Sequence, residues 1–532
     1  MNIHPCARPW VALFGSLVAF AAVATDGRAD VRLPALFADH AILQRDHPLP
    51  VWGWAAPGEK VGVKFGVEAA ETTAGKDGRW QVTLKPQPVS KTPLTLAVAG
   101  KNTITVKDVL LGDVWLCGGQ SNMEWGLGGC DAPDDIKSAD LPLVRHFGVE
   151  LHFATTPQTD VKGRWSVCSP QSAPGFTAVG FYFARRVHKE TGVPIGLLRS
   201  SVGGTNIELW MGQDTLMNTP ALATYGKQMR DSLAAYQKDL VAALPAVEEW
   251  ITKSREELKA GRPVPLPPAI PDFPFGEKAF RPRCITLHNG MIAPLVPFAL
   301  RGVLWYQGEN NAGSASEGLQ YIEKKRAMLT DWRKWFGDPD LPFYFVQLAA
   351  WQKPSDAPAG GDGWAHIRDA QRKCLTIPHT GMAVATDVGD ADDIHPKNKA
   401  DVGDRLARWA LANEYGKKVV PSGPLFRQLK IDGSKAVVEF DHVGAGLMTG
   451  RKDGRKTAEE VKDAKLARFA IAGKDRKWVW AEAKIVGDTV VCTHPDVPNP
   501  AAVRYAFTMN PLGANLYNRD GLPASPFRTD DW

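Results

Sequence analysis

Cysteine is scarce in this chain, which contains seven cysteines among 532 residues. None of them stands in the Cys-x-x-Cys or Cys-x-x-His spacing of a zinc site, and they are too few for a dense disulfide framework. No metal or organic cofactor is expected. Cys117 and Cys130 flank Ser121, and both a disulfide between them and an unpaired, buried Cys117 are compatible with the sequence.

Clustered charge is also lacking. The 63 basic and 58 acidic residues are interspersed along the chain and leave a formal charge of only +5. The sequence therefore carries no basic patch of the kind that binds nucleic acid, and no nucleic-acid partner is expected. With 44% hydrophobic and 23% charged residues the composition is that of a globular protein, and the length predicts two to four domains.

The apolar run near the N-terminus is short. It extends from Trp10 to Ala24, fewer than the ~20 residues that a membrane-spanning helix needs. Arg8 precedes the run and small residues suited to cleavage follow it, so the pattern predicts a signal peptide over residues 1–29 rather than a membrane anchor. We therefore expect an exported protein, periplasmic or secreted, with no membrane association after cleavage.

Hydrophobic periodicity divides the rest of the chain into an α/β region between two β-rich regions. Period-two alternation with turn signals predicts an N-terminal β-domain over residues 30–107 and a C-terminal β-domain over residues 419–532. Between them, residues 108–418 alternate near-continuous apolar strands with amphipathic helices, which predicts a mostly parallel sheet. Residues 212–280 are lysine-rich and then proline-rich, and we interpret them as an insertion or lid.

Three local patterns give specific predictions. Apolar residues at helical spacing predict a helix from Thr177 to Thr191, with Gly192 as its C-cap. A second amphipathic helix is predicted from Leu319 to Phe336. The pair Gly487 and Asp488 between alternating residues predicts a two-residue hairpin turn.

Polar residues and glycines follow the predicted strands of the α/β region at the points where each strand ends. In an open parallel sheet the ligand site lies beyond the carboxyl ends of the strands. The residues at these ends are Ser121 after the first strand, Gly203 and Gly204 after the second, Gln307 and Glu309 after the third, and Asp392, Asp393 and His395 after the last.

These residue types are the ones that acyl transfer to a serine requires. A serine hydroxyl becomes an effective nucleophile when an imidazole takes its proton, and a carboxylate orients that imidazole. Backbone N–H groups freed by glycines and a side-chain amide stabilise the oxyanion that forms. Taken singly, each residue also fits a structural role as a turn glycine, a loop cap or a solvated carboxylate, but their joint occurrence at strand ends favours a hydrolase.

The motifs that contain these residues resemble those of the sialate O-acetylesterase family, within the SGNH-type serine hydrolases. The resemblance covers nearly the whole chain after the apolar run, and its motifs occur in the family's order. They are an ILQR…VWGWA pattern at residues 42–55, GQSNM at 119–123, SxGGTxIExW at 201–210, HNGMIAPL at 288–295, GVLWYQGENNA at 302–312 and DIHPKNK at 393–399. The chain departs from the family at Val202 and His288, where tryptophan and tyrosine are usual.

The resemblance implies a flavodoxin-like parallel sheet with accessory β-domains, and it implies roles for individual residues. Ser121 corresponds to the nucleophile and His395 to the general base. The backbone N–H of Ser121, the pair Gly203 and Gly204, and the amide of Gln307 correspond to the oxyanion hole. No cofactor takes part in the family's reaction.

The acid of the triad is left open by the sequence. The DxxH spacing of the superfamily selects Asp392, whereas the DIHP motif of the subgroup selects Asp393. Glu309 is the next candidate for the acid, and Glu309 and Trp210 are also predicted to contact the substrate.

The sequence thus predicts an exported serine esterase that removes O-acetyl groups from a carbohydrate through an acyl-serine intermediate. Two sugars are compatible with it: a sialic acid, which arginines would bind through its carboxylate, and a neutral cell-wall glycan such as xylan or xyloglucan. The 18 tryptophans favour the neutral glycan. The alternative is a catalytically inactive glycan-binding protein on the same fold, against which the intact Ser121 and His395 argue. The oligomeric state is not predicted.

Overall fold

The computed structural model describes residues 30–275 and 284–532. The predicted signal peptide, residues 1–29, and residues 276–280 of the predicted insertion lie outside the described residues. The helices are α1 (Ser121–Glu124), α2 (Pro133–Lys137), α3 (Ala178–Thr191), α4 (Gln213–Asn218), α5 (Ala223–Lys259), α6 (Ala315–Phe336), α7 (Gly363–Lys373) and α8 (Lys399–Asn413). The strands are β1 (Ile42–Gln44), β2 (Leu49–Trp54), β3 (Lys60–Phe65), β4 (Glu68–Thr73), β5 (Arg79–Leu84), β6 (Ser90–Ala99), β7 (Thr103–Gly119), β8 (Leu141–Gly148), β9 (Trp165–Cys168), β10 (Ile195–Ser201), β11 (Gly302–Tyr306), β12 (Phe343–Gln347), β13 (Thr380–Val384), β14 (Leu425–Asp432), β15 (Lys435–Asp441), β16 (Leu447–Arg451), β17 (Glu459–Glu460), β18 (Phe469–Gly473), β19 (Trp478–Trp480), β20 (Glu482–Val486), β21 (Thr489–Thr493), β22 (Pro500–Tyr505), β23 (Leu516–Asn518) and β24 (Phe527–Arg528).

A largely parallel sheet forms the centre of the α/β region, with the strand order β13-β12-β11-β7-β10-β8-β9. All neighbouring strands in it are parallel except the edge pair β8 and β9. Strands β11 and β12 are buried along their whole length, as is usual when helices cover both faces of a sheet. The predicted α/β fold of SGNH type with accessory β-sheets is confirmed.

Strand β7 lies at the point where the order of the sheet reverses. Its neighbours are β10 on one side and β11 on the other, so the chain leaving β7 enters the crevice in which open α/β sheets bind ligands. Gly119 ends the strand with a positive φ of 126°. A Cβ at this position would lie 2.1 Å from the carbonyl oxygen of Tyr306, so only glycine allows β7 to end this close to β11.

The N-terminal β-domain is joined to the α/β region through one long strand. The first half of β7 pairs with β6, and the second half pairs with β10 and β11. The expected boundary between residues 107 and 108 therefore falls inside a strand and not in a linker. Because the strand is continuous, the buried side chains of the two regions also form a single hydrophobic core.

The local predictions can be compared with the structure one by one. Helix α3 has Thr177 as its N-cap and Gly192 in a left-handed conformation as its C-cap, as predicted. Strands β20 and β21 form the predicted hairpin. Helix α6 begins at Ala315, four residues before the predicted start, because the side chain of Ser314 accepts a hydrogen bond from the N–H of Glu317 and caps the helix there.

Two further regions surround the sheet. The first part of the predicted insertion folds into α4 and the 37-residue helix α5, most of whose side chains are exposed. After Leu425, the strands from β14 to β24 form three sheets. Their buried residues, among them Val438, Ile471 and Phe527, form a core separate from the one under the central sheet.

The cysteines from Cys117 onward are all buried and unpaired, so no disulfide joins Cys117 to Cys130. Burial raises the pKa of both thiols, which keeps them protonated at neutral pH. Within the described ranges, no helix has the length and apolar character needed to cross a bilayer.

Candidate active site

Ser121 is the first residue of the short helix α1, directly beyond the end of β7. The backbone N–H groups of a first helical turn have no partners within the helix. The N–H of Ser121 therefore remains available at the same point where its hydroxyl faces the crevice. Gln120, just before it, is held by a hydrogen bond from its N–H to the carbonyl of Tyr306 at the end of β11.

His395 lies in the loop between β13 and α8, and the structure places its ring at Ser121. The distance between His395 Nε2 and Ser121 Oγ is 2.9 Å, a hydrogen-bond distance, although the two residues are 274 positions apart. The indole of Trp125 is stacked on the imidazole at 4.5 Å with an angle of 16°. The ring is thus held against the serine on one side and against an aromatic face on the other.

Asp393 is the carboxylate closest to this histidine among the described contacts. Its Oδ1 atom accepts a hydrogen bond from the backbone N–H of His395 at 2.8 Å and lies 3.5 Å from His395 Nδ1. The 3.5 Å separation is long for a hydrogen bond, but it places a negative charge next to the ring. Lys397 Nζ contacts the other oxygen of Asp393 at 3.3 Å.

Asp392 is placed differently. It is exposed, its backbone N–H donates to Asp390 Oδ1, and no hydrogen bond or ion pair among the described residues joins its carboxylate to His395. The two aspartates that the sequence left as alternatives are therefore distinguished by geometry. The side chain of Asp393 turns back onto His395, and that of Asp392 faces solvent.

The electrostatic surroundings keep the imidazole neutral. Burial lowers the pKa of His395, the nearby ammonium group of Lys399 lowers it further, and the charge of Asp393 opposes both. A neutral imidazole is the form that can accept a proton from a serine hydroxyl.

The predicted glycine pair lies next to the serine. A Cβ at Gly203 would be 3.2 Å from the Cβ of Ser121, so the loop after β10 passes very close to the nucleophile position. The N–H of Gly203 donates to Glu124 Oε2 at 2.7 Å, so an oxyanion can use this donor only in competition with Glu124. Gly204 is exposed with a positive φ of 68°.

Gln307 is not part of the oxyanion hole, and this prediction is corrected. Its side chain is fully buried, and its Nε2 donates to the carbonyl of Thr205 and to Asn311 Oδ1 at 3.1 and 2.8 Å. Its Oε1 accepts from the hydroxyl of Tyr321 at 2.9 Å. With its amide hydrogens donated to protein acceptors, Gln307 has none to offer an oxyanion.

Asn310 is the side-chain amide that faces the crevice, and the sequence reasoning missed it. It is exposed, and its Nδ2 donates to the carbonyl of Gly204 at 2.9 Å and to Asn206 Oδ1 at 2.5 Å. It stands three residues beyond Gln307 in the same motif, and both of its amide hydrogens already have protein acceptors in the loop that carries the glycine pair.

The two predicted substrate contacts are corrected as well. Trp210 is fully buried, its Nε1 donates to Thr205 Oγ1, and its ring packs edge-on against Trp305, so it belongs to the core. Glu309 is directed at the protein, because its Oε1 accepts a hydrogen bond from Asn122 Nδ2 at 2.7 Å. Burial raises the pKa of Glu309.

A cavity of about 780 Å³ opens beside the glycine pair and Asn310. None of its described lining residues is lysine, arginine or histidine, whereas Glu208 and Glu317 contribute carboxylates. Val202 also lines this cavity, at the position where tryptophan is usual in the family that the sequence resembles. In the part of the chain that the structure describes, no group of three or more histidine, cysteine, aspartate or glutamate side chains is arranged to hold a metal ion.

These groups together can carry out acyl transfer. A hydroxyl contacts a neutral imidazole, a carboxylate lies beside that imidazole, and the backbone of Gly203 passes next to the serine. The fold and the site therefore define a hydrolase domain of SGNH type that belongs to the esterase class.

Comparison with known proteins identifies the esterase family. The model of the family described as carbohydrate esterase, sialic acid-specific acetylesterase, matches residues 111–247 and 285–412. The crystal structure of a carbohydrate acetylesterase from Xanthomonas citri is similar with a TM-score of 0.77 and 37% identity, over 94% of this chain and 100% of that one. The sialate O-acetylesterase of Rattus norvegicus is 29% identical over 96% of both chains, and that of Homo sapiens is 28% identical over 90% of this chain and 88% of its own. The chain belongs to the sialic acid-specific acetylesterase family of carbohydrate esterases, and it is a carbohydrate O-acetylesterase.

Proposed function

We propose that this esterase cleaves O-acetyl groups from a neutral glycan by double displacement, with Ser121 as nucleophile, His395 as general base and Asp393 as the acid that orients His395. The 2.9 Å contact between Ser121 Oγ and His395 Nε2 is the observation that carries the assignment. It joins two residues from distant parts of the sequence at the carboxyl end of the sheet, where ligands bind in folds of this kind.

The steps follow from the geometry. His395 Nε2 takes the proton as Ser121 Oγ bonds to the acetyl carbonyl carbon, and the resulting oxyanion is stabilised by the N–H of Ser121 and by the N–H of Gly203, which exchanges Glu124 for the oxyanion. The bond to the sugar oxygen then breaks, and that oxygen leaves with the proton from His395. Water, deprotonated by His395, attacks the carbonyl carbon of the acyl-serine, the bond from that carbon to Ser121 Oγ breaks, and Ser121 Oγ takes the proton from His395 as acetate leaves.

The cavity beside the glycine pair supports a neutral sugar. A sialic acid carries a carboxylate, which proteins bind with arginine or lysine. Among the described residues that line this cavity there is no basic side chain, and the carboxylate of Glu317 would repel an anion, whereas that of Glu208 is neutralised by Lys324 at 2.5 Å. Two cations near the serine already have acidic partners, Arg199 with Glu124 and Lys397 with Asp393. A third, Lys399, is buried and is bound to Asn122 and the carbonyl of Pro396.

A sialoside is the second candidate, because the curated relatives are named sialate O-acetylesterases. A substrate panel separates the two. Acetate release is measured with acetylated xylan, acetylated xyloglucan and an O-acetylated sialoside at equal acetyl concentration. We expect higher kcat/KM on the neutral glycans, and a preference for the sialoside would reject this part of the proposal.

Export is also part of the proposal, supported by the charged residue, short apolar run and small residues of the N-terminus. Expression of the full sequence in a bacterial host, followed by fractionation and N-terminal sequencing, tests it. We expect a chain that lacks about the first 29 residues and is found outside the cytoplasm. An uncleaved chain in the cytoplasm would contradict export.

The serine assignment is tested with a chromogenic acetyl ester and a phosphonate that labels activated serines. We expect the phosphonate to modify Ser121 and to abolish acetate release. Release that continues after complete labelling would refute the assignment, and a purified protein with no esterase activity would instead support a glycan-binding role.

A further inference from the structure

The residue after the serine, Asn122, makes contacts that the catalytic assignment does not use. Its side chain is 2% exposed, and its amide is satisfied from three directions. Nδ2 donates to Glu309 Oε1 at 2.7 Å and to the carbonyl of Ile394 at 3.0 Å, while Oδ1 accepts from Lys399 Nζ at 2.6 Å. The loops after β7, β11 and β13 thus meet at one amide.

Lys399 completes the arrangement. Its Nζ also donates to the carbonyl of Pro396 at 2.8 Å. The two carbonyls that flank His395, those of Ile394 and Pro396, are therefore held by the same unit, one directly by Asn122 and the other through Lys399. The residue next to the nucleophile controls the backbone on both sides of the base.

The position of Lys399 is unfavourable for stability alone. It is fully buried at the first residue of α8, where the positive end of the helix dipole disfavours a cation. Burial lowers its pKa to about 8. A charged group that is costly to bury, at the unfavourable end of a helix, is more common at functional positions than in purely structural ones.

The other contacts of His395 restrain it only within its own loop, because its backbone N–H donates to Asp393, which lies two residues away. Asp393 is 34% exposed and lies 3.5 Å from Nδ1, and the loop between residues 389 and 398 has no helix or strand. The stacked Trp125 restrains the tilt of the ring but permits sliding along its face. The distance from Nε2 to Ser121 Oγ therefore depends on where the backbone of residues 394–396 is held.

We propose that Asn122 is a positioning residue that sets the distance between Ser121 and His395, by binding the Ile394 carbonyl directly and the Pro396 carbonyl through Lys399. This inference rests on the proposed roles of Ser121 and His395. A displacement of about 1 Å between reacting groups typically costs ~10² in rate, so the anchor acts on catalysis far more than on substrate binding.

The experiment compares Asn122→Ala with Asn518→Ala. Asn518 is a matched control, because it is also fully buried and its Nδ2 also donates to two backbone carbonyls, those of Ser422 and His442. It lies in the C-terminal β-region, away from the site. Both variants lose comparable buried hydrogen bonds, and only Asn122→Ala releases the loop of His395.

We expect Asn122→Ala to lower kcat on a chromogenic acetyl ester by ~10²-fold with little change in KM, and to slow phosphonate labelling of Ser121 in parallel. Asn518→Ala should leave both rates near those of the wild type, even if its melting temperature falls as far. Equal loss of kcat in the two variants, or an Asn122→Ala enzyme close to wild type, would overturn the inference.

Two further variants keep the test decisive if Asn122→Ala does not fold. Asn122→Asp preserves size and the contact with Lys399, but it replaces the donors to Ile394 and Glu309 with an oxygen that both of those acceptors repel, and it should also lose kcat. Lys399→Met releases Pro396 and removes a positive charge near His395, so it should lower kcat and also raise the pKa of His395. The acid limb of its kcat/KM profile should then move to higher pH.

The loss of Lys399 also raises the pKa of Glu309, but Lys399 has the largest charge effect on the pKa of His395, so its loss sets the sign of the shift. The variant keeps the other charged residues around His395. These are Asp393 and Lys397 in its own loop, Glu124 on α1, and Glu309 beyond Asn122. An unmoved acid limb in Lys399→Met together with wild-type kcat would contradict the inference. If the wild type itself has no esterase activity, the proposed catalytic roles fail, which is a different result from an active enzyme that tolerates Asn122→Ala.

Discussion

Replacing Asp393 with asparagine tests which carboxylate supports His395. The variant keeps the size of the side chain and removes its charge, which lies 3.5 Å from His395 Nδ1. Two unit charges at this separation interact by about 1 kcal/mol in water and about 5 kcal/mol at an effective dielectric of about 20.

Two features of the structure place the interaction energy between Asp393 and His395 in the lower part of that range. Its side chain is 34% exposed, and Lys397 shares its charge. We therefore expect the imidazolium of the transition state to lose about 1–3 kcal/mol of stabilisation, which corresponds to a fall in kcat of about 5- to 150-fold. This is less than the ~10⁴ known for the buried aspartate of the well-known serine-protease triad, because that carboxylate is desolvated and bonded directly to the ring.

The assay measures kcat on a chromogenic acetyl ester for Asp393→Asn and Asp392→Asn side by side. Asp392 is exposed and has no described contact with His395, so its variant should change kcat by less than about twofold. A larger loss in Asp392→Asn than in Asp393→Asn would refute the assignment. Two unchanged variants would show that the pair of Ser121 and His395 works without a carboxylate partner.

The remaining predictions concern the nucleophile, the amides and the pH profile. Ser121→Ala should abolish acetate release with an unchanged melting temperature, and activity near that of the wild type would exclude Ser121. Asn310→Ala should lower kcat by less than the ~10²- to 10³-fold typical of a lost oxyanion donor, because both of its amide hydrogens bind Gly204 and Asn206, and a larger loss in the same assay would make Asn310 a donor to the oxyanion. Gln307→Ala should instead reduce the free energy of unfolding by at least about 1–3 kcal/mol, because it leaves buried partners unpaired. An unchanged free energy of unfolding in urea melts together with a large fall in kcat would restore Gln307 to the oxyanion hole. The pKa of His395 is lowered and the base acts in its neutral form, so kcat/KM should remain high to below pH 6.5, the ordinary pKa of histidine. Asp393→Asn should move the acid limb of the profile to still lower pH, because it removes a charge that raises the pKa of His395. An acid limb above pH 6.5 in the wild type would contradict the electrostatics described here.

The sequence determined the architecture of the site because parallel strands bring their carboxyl ends to one edge. Once the apolar strands were recognised, Ser121, the glycine pair and His395 had to lie near one another, however far apart in the chain. The glycines carried further information, since Gly119 occupies a position that a side chain would block.

The choice among neighbouring residues of like chemistry was decided by the tertiary structure. Asp392 and Asp393 differ by one position, and Gln307 and Asn310 lie in one motif, so local sequence does not tell which of each pair faces the crevice. The direction of each side chain depends on partners far away in the chain: Thr205 and Tyr321 bind Gln307, and the backbone of His395 binds Asp393.

The burial of Trp210 and the contacts of Asn122 likewise could not be predicted from the sequence. A tryptophan next to a glycine motif is compatible with a sugar platform, and only its packing against Trp305 places it in the core. Asn122 binds Glu309, Ile394 and Lys399, which lie 187 to 277 positions further along the chain. The sequence specified which strands pair and which residues end them, whereas the distances between those residues arise from packing among side chains that only the folded chain brings together.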